Sequence, residues 1–241
     1  MKDKRYIIAG RNATRETVLS GNAKTVFCKE ALKKDSVVRL AIEKGVPVSF
    51  CSEPQLNSLC GTSHHQGIAV EAKPFEYCAL SEILNVASGK KDSTVLVLDG
   101  IEDPNNLGAI LRSCDAFGVD GVVIKSRGEV GLTPTVAKVS TGAISYVKVA
   151  SVPNLSQALS ELKDAGYWVV SSDGSATKSY EEVDYSGKIA LVVGSEGFGI
   201  SKLVLTRSDF VVKIPMVGHV NSLNASVATG ILLSFIAHKR S

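Results

Sequence analysis

Three segments of the chain concentrate polar side chains of the types that position ligands and manage charge. They are 99–112, 193–199 and 214–226. The first carries Asn106 and Arg112, the second Glu196, and the third Ser222 and Asn224. The amides and the hydroxyl can orient a ligand, the carboxylate can pair with or orient a cation, and the guanidinium can bind an anion. Each of them alone also fits a structural role, as a helix cap or a solvated side chain.

The glycine-rich segment Gly194–Gly199 has three possible interpretations. A turn of this kind after a strand can cradle phosphates, but its spacing is G-x-x-G-x-G, not the G-x-G-x-x-G of dinucleotide-binding loops. Glu196 also lies where an anion would have to bind. A tight turn, or a loop around a small neutral or cationic ligand, therefore fits better than a phosphate loop.

Polar residues next to the predicted helices can cap them. Asp103-Pro104 starts a turn, so Asn105 or Asn106 can cap the helix that carries Arg112. Within one helix, Asn106 and Arg112 would lie about 240° apart around the axis and about 9 Å apart along it. They therefore cannot point to one spot from a regular helix. Three polar residues can cap the final helix: Ser222, Asn224 and Ser226.

The second part of the chain reads as an open α/β domain. Continuous apolar runs, typical of parallel strands buried on both faces, occur at 95–98, 122–124, 168–171, 189–193 and 211–214. Helical spacing occurs at 107–117, after Asn154, and at 223–237. Ligands of such sheets bind beyond the carboxyl ends of the strands. The three polar segments follow predicted strands, so we expect a site there.

The first part of the chain reads as a small α/β domain. Its predicted strands are 6–9, 25–27, 46–50 and 67–72, and its predicted helices are 12–19, 36–44 and 53–59. A polar connection that contains a short helical pattern follows. We therefore predict a first domain over 1–75, a linker over 76–92 and a second domain over 93–241.

Composition and charge narrow the class of protein. With 241 residues and 44% hydrophobic content, the chain can form a packed core, which excludes a disordered or low-complexity protein. Residues 1–92 hold 14 Lys and Arg against 10 Asp and Glu, whereas the remainder holds 13 against 14. This asymmetry fits either a polyanion partner for the first part or a scatter of solvated lysines.

Location and metal content follow from simple signals. No apolar run approaches the roughly 18 residues of a membrane helix, and the charged start lacks a signal-peptide core. The five cysteines are odd in number and lack metal-site spacing. We therefore expect a cytoplasmic protein with no membrane segment and no metal. Four histidines are expected to lie at the surface or to face a bound partner: His64, His65, His219 and His238.

Taken together, the three segments resemble the three motifs of the SpoU/TrmH-type RNA 2′-O-ribose methyltransferases. The matching residues are Asn106-Leu-Gly with Arg112, Gly194-Ser-Glu-Gly with Gly199, and Ile214-Pro-Met with Gly218 and Ser222-Leu-Asn-x-Ser226. In the first domain, Gly10-Arg-Asn-Ala and His65-Gln-Gly-Ile resemble the RNA-binding extension of the branch that modifies large-subunit ribosomal RNA. Asn105, Phe198 and Ser201 depart from the residues common in the family.

The resemblance implies a fold, an activity and partners. The fold is a trefoil-knotted α/β methyltransferase domain with a mostly parallel sheet, behind a small α/β RNA-binding domain. The activity is transfer of a methyl group from S-adenosylmethionine to a ribose 2′-hydroxyl, in a guanosine of 23S ribosomal RNA, by a homodimer joined through the knotted domain. Alternatives are a transfer-RNA methyltransferase and a non-catalytic RNA-binding protein on the same fold. A nucleotide-dependent oxidoreductase lacks its fingerprint here.

The resemblance also implies roles for individual residues. Gly194, Ile214 and Leu223 would hold the cofactor, with the glycine leaving room for its approach and the two apolar side chains flanking the adenine. Arg112 would be catalytic, either as a base or as a fixed positive charge on the RNA. Glu196 could pair with Arg112 or orient it. Asn106, Ser222 and Asn224 complete the catalytic set, since Ser222 and Asn224 could hold substrate or the Asn106 side chain.

RNA binding by the first domain would rest on basic residues, each of which also fits a solvated surface position. The candidates are Arg5, Arg11, Arg15, Lys24, Lys29, Lys33 and Lys34.

Overall fold

The computed structural model describes residues 5–241 and divides into two compact units. The first unit comprises the chain up to Glu76 together with Leu132–Tyr146. The second comprises Tyr77–Gly131 and Val147–Ser241. The chain therefore leaves the second unit once, between two of its strands, and returns.

The first unit is built on a four-stranded sheet in the order β1-β4-β2-β3. Its strands are β1 (Tyr6–Ala9), β2 (Ala23–Cys28), β3 (Val48–Phe50) and β4 (Ile68–Ala72). Its first three helices are α1 (Arg11–Leu19), α2 (Ser36–Glu43) and α3 (Glu53–Cys60). Strands β2 and β3 are parallel, and β4 pairs antiparallel with β1 and β2. The predicted small α/β unit is confirmed, with element ends shifted by one or two residues.

Local sequence signals explain where these helices begin and end. The side chain of Asp35 accepts a hydrogen bond from the Val37 amide at 2.8 Å and so caps α2. Gly45 follows that helix with a φ of +70°, a left-handed conformation that glycine adopts without strain. The buried positions of α2 are Val37, Val38 and Ala41, which lie on one face because of the helical repeat.

The inserted segment Leu132–Tyr146 contributes to the core of the first unit. It contains α6 (Pro134–Val139), which packs on β1, and a short 3-10 turn. The Tyr6 hydroxyl donates to the Leu132 carbonyl at 2.7 Å, and the Tyr146 hydroxyl donates to Glu16 at 3.0 Å. The sequence analysis assigned this segment to the second domain. A six-residue helix has too few turns to show a helical pattern in the sequence, which is why it was missed.

The second unit has a seven-stranded sheet in the order β7-β6-β5-β10-β8-β11-β9, and every neighbouring pair is parallel. Its strands are β5 (Ser93–Asp99), β6 (Gly121–Lys125), β7 (Val149–Val152), β8 (Trp168–Ser172), β9 (Lys178–Ser179), β10 (Lys188–Gly194) and β11 (Phe210–Lys213). Its helices are α4 (Leu80–Val86), α5 (Pro104–Ala116), α7 (Leu155–Asp164), α8 (Lys202–Leu205) and α9 (Ala225–Arg240). The prediction of an α/β domain with parallel strands is confirmed.

The predicted strands of the second unit form its central sheet. All seven residues of β5 are buried, as expected for a strand covered on both faces. The weak elements β7, β9 and α8 were not predicted, because each is short and partly exposed. The helix within the predicted linker, α4, buries Leu80 and Ile83 in the core of this unit. Residues 77–92 of the predicted linker thus belong to the second unit.

His65 is buried, so the expectation that it is a surface histidine is wrong. Its side chain is 1% exposed. Its Nδ1 accepts a hydrogen bond from the Gly67 amide at 2.9 Å, and its Nε2 lies 2.8 Å from Asn57 Oδ1. Both ring nitrogens are therefore used in holding the turn before β4. His64, His219 and His238 are exposed.

The described residues give no sign of a metal centre or a membrane segment. Within 5–241, no group of three or more His, Cys, Asp or Glu side chains could hold a metal ion, and all five cysteines are free. No helix in this range is long and apolar enough to span a bilayer.

We predict that residues 1–76 alone are far less stable than the same fragment joined by a short glycine–serine linker to 132–146. The inserted segment supplies Leu132, Val136 and Ile144, which are buried, and burial of each such side chain contributes about 1.5–3 kcal/mol. A unit this small has little stability to spare. The linker can be short, because Phe75 and the Leu132 carbonyl both contact Tyr6.

Thermal unfolding followed by circular dichroism tests this prediction. The joined fragment should melt cooperatively, and the 1–76 fragment should show no cooperative transition or one at least about 10 °C lower. Equal melting temperatures would contradict it.

Candidate active site

The three polar segments meet at the carboxyl ends of neighbouring strands in the second unit. Strands β5 and β10 pair in parallel, with Asp99 beside Gly194 at the last step of the ladder. The first polar segment leaves from β5, the second from β10, and the third from β11. The topology therefore brings together segments that lie about a hundred residues apart in the chain, as the sequence analysis expected.

A single carboxylate oxygen joins these segments in a three-loop cluster formed by Asn106, Glu196 and Asn224. The Asn106 amide nitrogen donates to Glu196 Oε1 at 3.0 Å, and the Ala225 backbone amide donates to the same oxygen at 3.2 Å. The Asn224 amide nitrogen contacts both Glu196 Oε1 and Asn106 Oδ1, the latter at 2.9 Å. All the donors are neutral amides, so none of them neutralises the carboxylate.

Asn224 also caps helix α9. Its Oδ1 accepts hydrogen bonds from the Ser226 amide at 2.9 Å and from the Val227 amide at 3.3 Å. The expectation of a polar cap at the start of this helix is confirmed. The carboxylate of Glu196 thus lies at the positive end of the helix dipole, which stabilises its charge.

The cap of helix α5 differs from the expected one. Asp103 is the capping residue and accepts a hydrogen bond from the Asn105 amide at 2.8 Å, so the prediction that Asn105 or Asn106 caps this helix is wrong. Pro104 occupies the first helical position, where its missing N–H costs nothing. As a result, Asn106 lies inside the helix with its amide available to Glu196.

Arg112 is not part of the three-loop cluster. It is exposed and forms no hydrogen bond or ion pair with any other described residue. The expected pairing of Glu196 with Arg112 does not occur. Both Asn106 and Arg112 lie in the regular helix α5, so the rotation of the helix separates them, as the spacing predicts.

A cavity of about 410 Å³ opens beside the cluster, at the carboxyl ends of β8, β10 and β11. The three residues expected to hold a cofactor, Gly194, Ile214 and Leu223, all line it, together with Glu196 and Ser222. Asn106, Arg112 and Asn224 do not line it. The predicted site residues therefore do not form one group. Some line the cavity, Asn106 and Asn224 join Glu196 in the three-loop cluster, and Arg112 is exposed outside both.

Gly194 is required by the loop that follows it. A Cβ atom at this position would lie 2.2 Å from the Gly199 carbonyl carbon and 2.5 Å from the Ile200 nitrogen. Ser195 and Gly199 exchange backbone hydrogen bonds of 3.2 and 3.0 Å, which folds the segment tightly back on itself. The sequence analysis explained this glycine by the approach of a ligand. The structure shows that the loop's own backbone occupies that space.

The cavity carries negative charge without a compensating cation. Its lining includes Asp173 and Glu196 but no Lys, Arg or His, and all its lining residues belong to the described part of the chain. Asp173 was not predicted as a site residue, although it directly follows β8. This charge disfavours a phosphate ligand and favours a neutral or cationic one, in agreement with the interpretation of the glycine spacing.

A second polar network holds the base of the glycine-rich loop. Asp99, which is 4% exposed, accepts a hydrogen bond from the Ser201 amide at 2.8 Å and pairs with Lys125 at 2.7 Å. Glu129 accepts hydrogen bonds from the amides of Gly100 at 2.6 Å and Lys125 at 2.9 Å. The network therefore fixes the end of β5 to the end of the loop and to the neighbouring strand β6.

The pKa values of the two carboxylates in this network are shifted in opposite directions. Burial acts to raise the pKa of Asp99, but hydrogen bonds from Lys125 and Ser201 outweigh it, so this pKa lies below its usual range. Burial raises the pKa of Glu129 to about 7, against the opposing effect of the Gly100 and Lys125 amides. Glu129 therefore changes charge near neutral pH.

We predict that the free energy of unfolding decreases as pH rises from about 4.5 to about 7, because of the raised pKa of Glu129. The folded protein holds the Glu129 proton in this range while the unfolded chain has lost it, so the free energy of unfolding decreases as pH rises. Glu129→Gln removes this titration.

Urea unfolding at several pH values tests this prediction. The stability of the unaltered protein relative to Glu129→Gln should fall through this range and stay level above it. Glu102→Gln, at an exposed position, is the control and should leave the pH dependence unchanged. A pH-independent difference between the protein and Glu129→Gln would contradict the prediction.

Comparison with known proteins agrees with the motifs. Residues 93–234 match the SpoU rRNA Methylase family. Residues 7–78 match the substrate-binding family of RNA 2′-O ribose methyltransferases. The chain is 43% identical over 239 residues to a Staphylococcus aureus protein that is named as a TrmH family tRNA/rRNA methyltransferase, and the match covers 97% of this chain and 96% of that protein.

Solved structures agree with the fold. An RNA 2′-O ribose methyltransferase structure has a TM-score of 0.81 at 26% identity and covers 98% of this chain and 89% of its own. AviRb from Streptomyces viridochromogenes, solved with AdoMet, has a TM-score of 0.80 at 21% identity, with coverages of 98% and 91%. The expected fold class is confirmed in its α/β methyltransferase domain with a mostly parallel sheet, behind a small α/β domain. With its two family regions and its full-length relatives, the chain belongs to the SpoU/TrmH family of RNA methyltransferases.

Proposed function

We propose that the protein transfers the methyl group of S-adenosylmethionine to a ribose 2′-hydroxyl of RNA, and that its target is a guanosine of 23S ribosomal RNA. The observation that carries the proposal is the three-loop cluster of Asn106, Glu196 and Asn224 beside a cavity at the strand ends. The N-terminal substrate-binding region supports RNA as the substrate. Transfer RNA is the second candidate, because the Staphylococcus aureus relative is named for both RNA classes.

The cavity fits the proposed cofactor in size and chemistry. Its volume of about 410 Å³ lies within the range of small-molecule sites. Ile214 and Leu223 offer apolar surfaces for the adenine, and Asp173 and Glu196 suit a positively charged ligand. S-adenosylmethionine supplies an electrophilic methyl group on a sulfonium, so catalysis by the protein reduces to positioning and to handling one proton.

Arg112 is proposed to bind the RNA phosphate next to the target ribose. It is exposed and forms no ion pair with the other described residues, so its guanidinium is available to an anion. Guanidinium groups hold their proton at all pH values that proteins tolerate. We therefore assign Arg112 the role of a fixed charge that stabilises the developing alkoxide, rather than that of a base.

The remaining site residues are proposed to act by position. Glu196 holds Asn106 and the start of α9 through one oxygen, which sets the wall of the cavity. Ser222 lines the cavity and is exposed, so its hydroxyl can bind the substrate. Gly194 shapes the loop, as described above, and contributes to the cofactor site through its backbone.

RNA binding is proposed for the first unit. Lys24 and Lys34 are exposed and make no ion pair with described residues, so we propose them as direct phosphate contacts. The other five candidates pair with carboxylates: Arg5 with Glu71, Arg11 with Asp35, Arg15 with Glu16, Lys29 with Glu53, and Lys33 with Glu30. The pair of Lys33 with Glu30 is exposed on both sides, and such pairs are weak, so an RNA phosphate can displace it.

A homodimer, a trefoil-threaded second unit and a cytoplasmic location complete the proposal. The family resemblance implies the dimer, and the last helix, α9, is rich in apolar residues. Leu232 and Ile236 are buried within the chain, and Phe235 packs against the rings of Tyr180 and Tyr185. Exposed apolar residues are available nearby, such as Val227 at 49% exposure. Sedimentation velocity at micromolar protein tests the dimer.

Transfer of a labelled methyl group tests the function and separates its alternatives. The protein is incubated with methyl-labelled S-adenosylmethionine and either unmodified 23S ribosomal RNA or unmodified transfer RNA, and the RNA is digested to nucleosides. Label in 2′-O-methylguanosine from 23S RNA is the expected result. Label in transfer RNA alone would indicate that transfer RNA is the substrate instead. RNA binding without label would indicate a non-catalytic protein.

We predict that Arg112→Ala lowers the methylation rate by about a hundredfold or more, as expected for the loss of a charged transition-state contact. Affinity for S-adenosylmethionine should be almost unchanged, because Arg112 does not line the cavity. Arg112→Lys should restore little activity, since an ammonium lacks the planar fork of a guanidinium.

Calorimetry with the cofactor beside the labelled-methyl assay checks this prediction. Arg127→Ala is the matched control, because Arg127 is another exposed arginine of the second unit without an ion pair to described residues. An equal loss of rate in both variants would indicate that Arg112 contributes only through the general positive charge of the surface. Loss of cofactor binding in Arg112→Ala would indicate that Arg112 belongs to the cofactor site.

A further inference from the structure

The carboxylate of Asp173 lies in the wall of the cavity at the end of strand β8. Its backbone amide donates to the Val212 carbonyl of β11 at 2.9 Å, which fixes the residue to the sheet. Its Oδ1 accepts hydrogen bonds from the Ser175 amide at 2.8 Å and the Ser175 hydroxyl at 2.5 Å. The side chain is therefore held in one orientation by a local turn.

The second oxygen of Asp173 faces the glycine-rich loop. Its Oδ2 lies 3.8 Å from the point where a Cβ on Gly199 would stand. It accepts no hydrogen bond from any other described residue, and no cation among those residues pairs with Asp173. This oxygen is thus available to a ligand, whereas Glu196 Oε1 already accepts three protein N–H groups.

The charge of a bound ligand determines whether the Asp173 carboxylate weakens or strengthens its binding. A ligand that fills the cavity removes water from the Asp173 carboxylate, and burial of an unpaired charge is unfavourable. An uncharged ligand leaves that cost in place. A ligand with a positive charge compensates it, since opposite charges attract more strongly as water leaves.

The proposed reaction changes the charge of the molecule in the cavity. When the methyl group moves to the ribose, an electron pair of the hydroxyl oxygen forms the new carbon–oxygen bond, the carbon–sulfur bond breaks with its electron pair staying on sulfur, and the hydroxyl proton is released to water. The cationic sulfonium becomes an uncharged thioether. A carboxylate in the wall therefore binds the methyl donor more tightly than the demethylated product.

We infer that Asp173 is a specificity-determining residue that makes the cavity prefer the methyl donor, which carries a sulfonium cation, to its product S-adenosylhomocysteine, whose sulfur is a neutral thioether. This inference rests on the proposed function. By this preference Asp173 promotes the replacement of product by fresh donor after each turnover. This role is distinct from those of the three-loop cluster and Arg112.

Calorimetric affinities for donor and product test the inference. Asp173→Asn keeps an oxygen that can accept from Ser175 but removes the charge. It should weaken binding of S-adenosylmethionine by roughly five- to tenfold and change binding of S-adenosylhomocysteine by less than about twofold. A non-reactive donor analogue with an ammonium in place of the sulfonium should follow the donor. The donor preference of the unaltered protein should also fall with added salt.

The chain offers a matched control in Asp184. This residue makes the same kind of turn, accepting from the Ser186 amide and hydroxyl at 2.9 Å each, and does not line the cavity. Asp184→Asn should leave both affinities unchanged. Equal weakening of donor and product in Asp173→Asn, or no change in either, would overturn the inference while leaving the proposed function intact. If the unaltered protein binds no S-adenosylmethionine, the proposed function fails and the inference fails with it.

Discussion

The carboxylate oxygen of Glu196 that accepts three protein N–H groups is the contact on which the rest of the site depends. Its donors come from helix α5 and from the start of α9, and Glu196 itself belongs to the loop after β10. Loss of the carboxylate would leave Asn106 and the first turn of α9 without their common acceptor. One side chain thus maintains the relative position of three segments remote in sequence.

This contact is possible only because the strands beneath it are fixed in register. Strand β5 is buried throughout and pairs residue by residue with β10, which sets Asp99 beside Gly194. Asp99 then holds the far end of the glycine-rich loop through the Ser201 amide. Gly194 lets the loop fold against itself at a distance that no side chain would permit. The loop is therefore anchored at both ends before Glu196 makes any contact.

Sequence patterns predicted the elements with strong local signals and missed those that depend on tertiary packing. Buried runs such as 189–193 predicted the central strands, because both faces of a parallel sheet are apolar. The inserted helix α6 escaped notice, since its apolar residues complete the core of a unit whose other residues lie far away in the chain. The cap of α5 was assigned to an asparagine because Asp103 was read as part of a turn. Asp173 gave no signal in sequence, since a single aspartate after a strand is ordinary.

The choice of partners for Glu196 also determines what Arg112 can do. An arginine would be the strongest partner available to a carboxylate such as Glu196. Such a pair would neutralise the guanidinium and leave it with little attraction for a phosphate. Here neutral amides satisfy Glu196, and the rotation of helix α5 keeps Arg112 exposed and apart from the cluster. The arrangement keeps negative charge at the cavity, where a cationic donor is proposed to bind, and positive charge outside it, where a polyanion is proposed to approach. Asparagine at positions 106 and 224 therefore does more than fill space, because a basic residue at either position would pair with Glu196 and neutralise the negative charge beside the cavity.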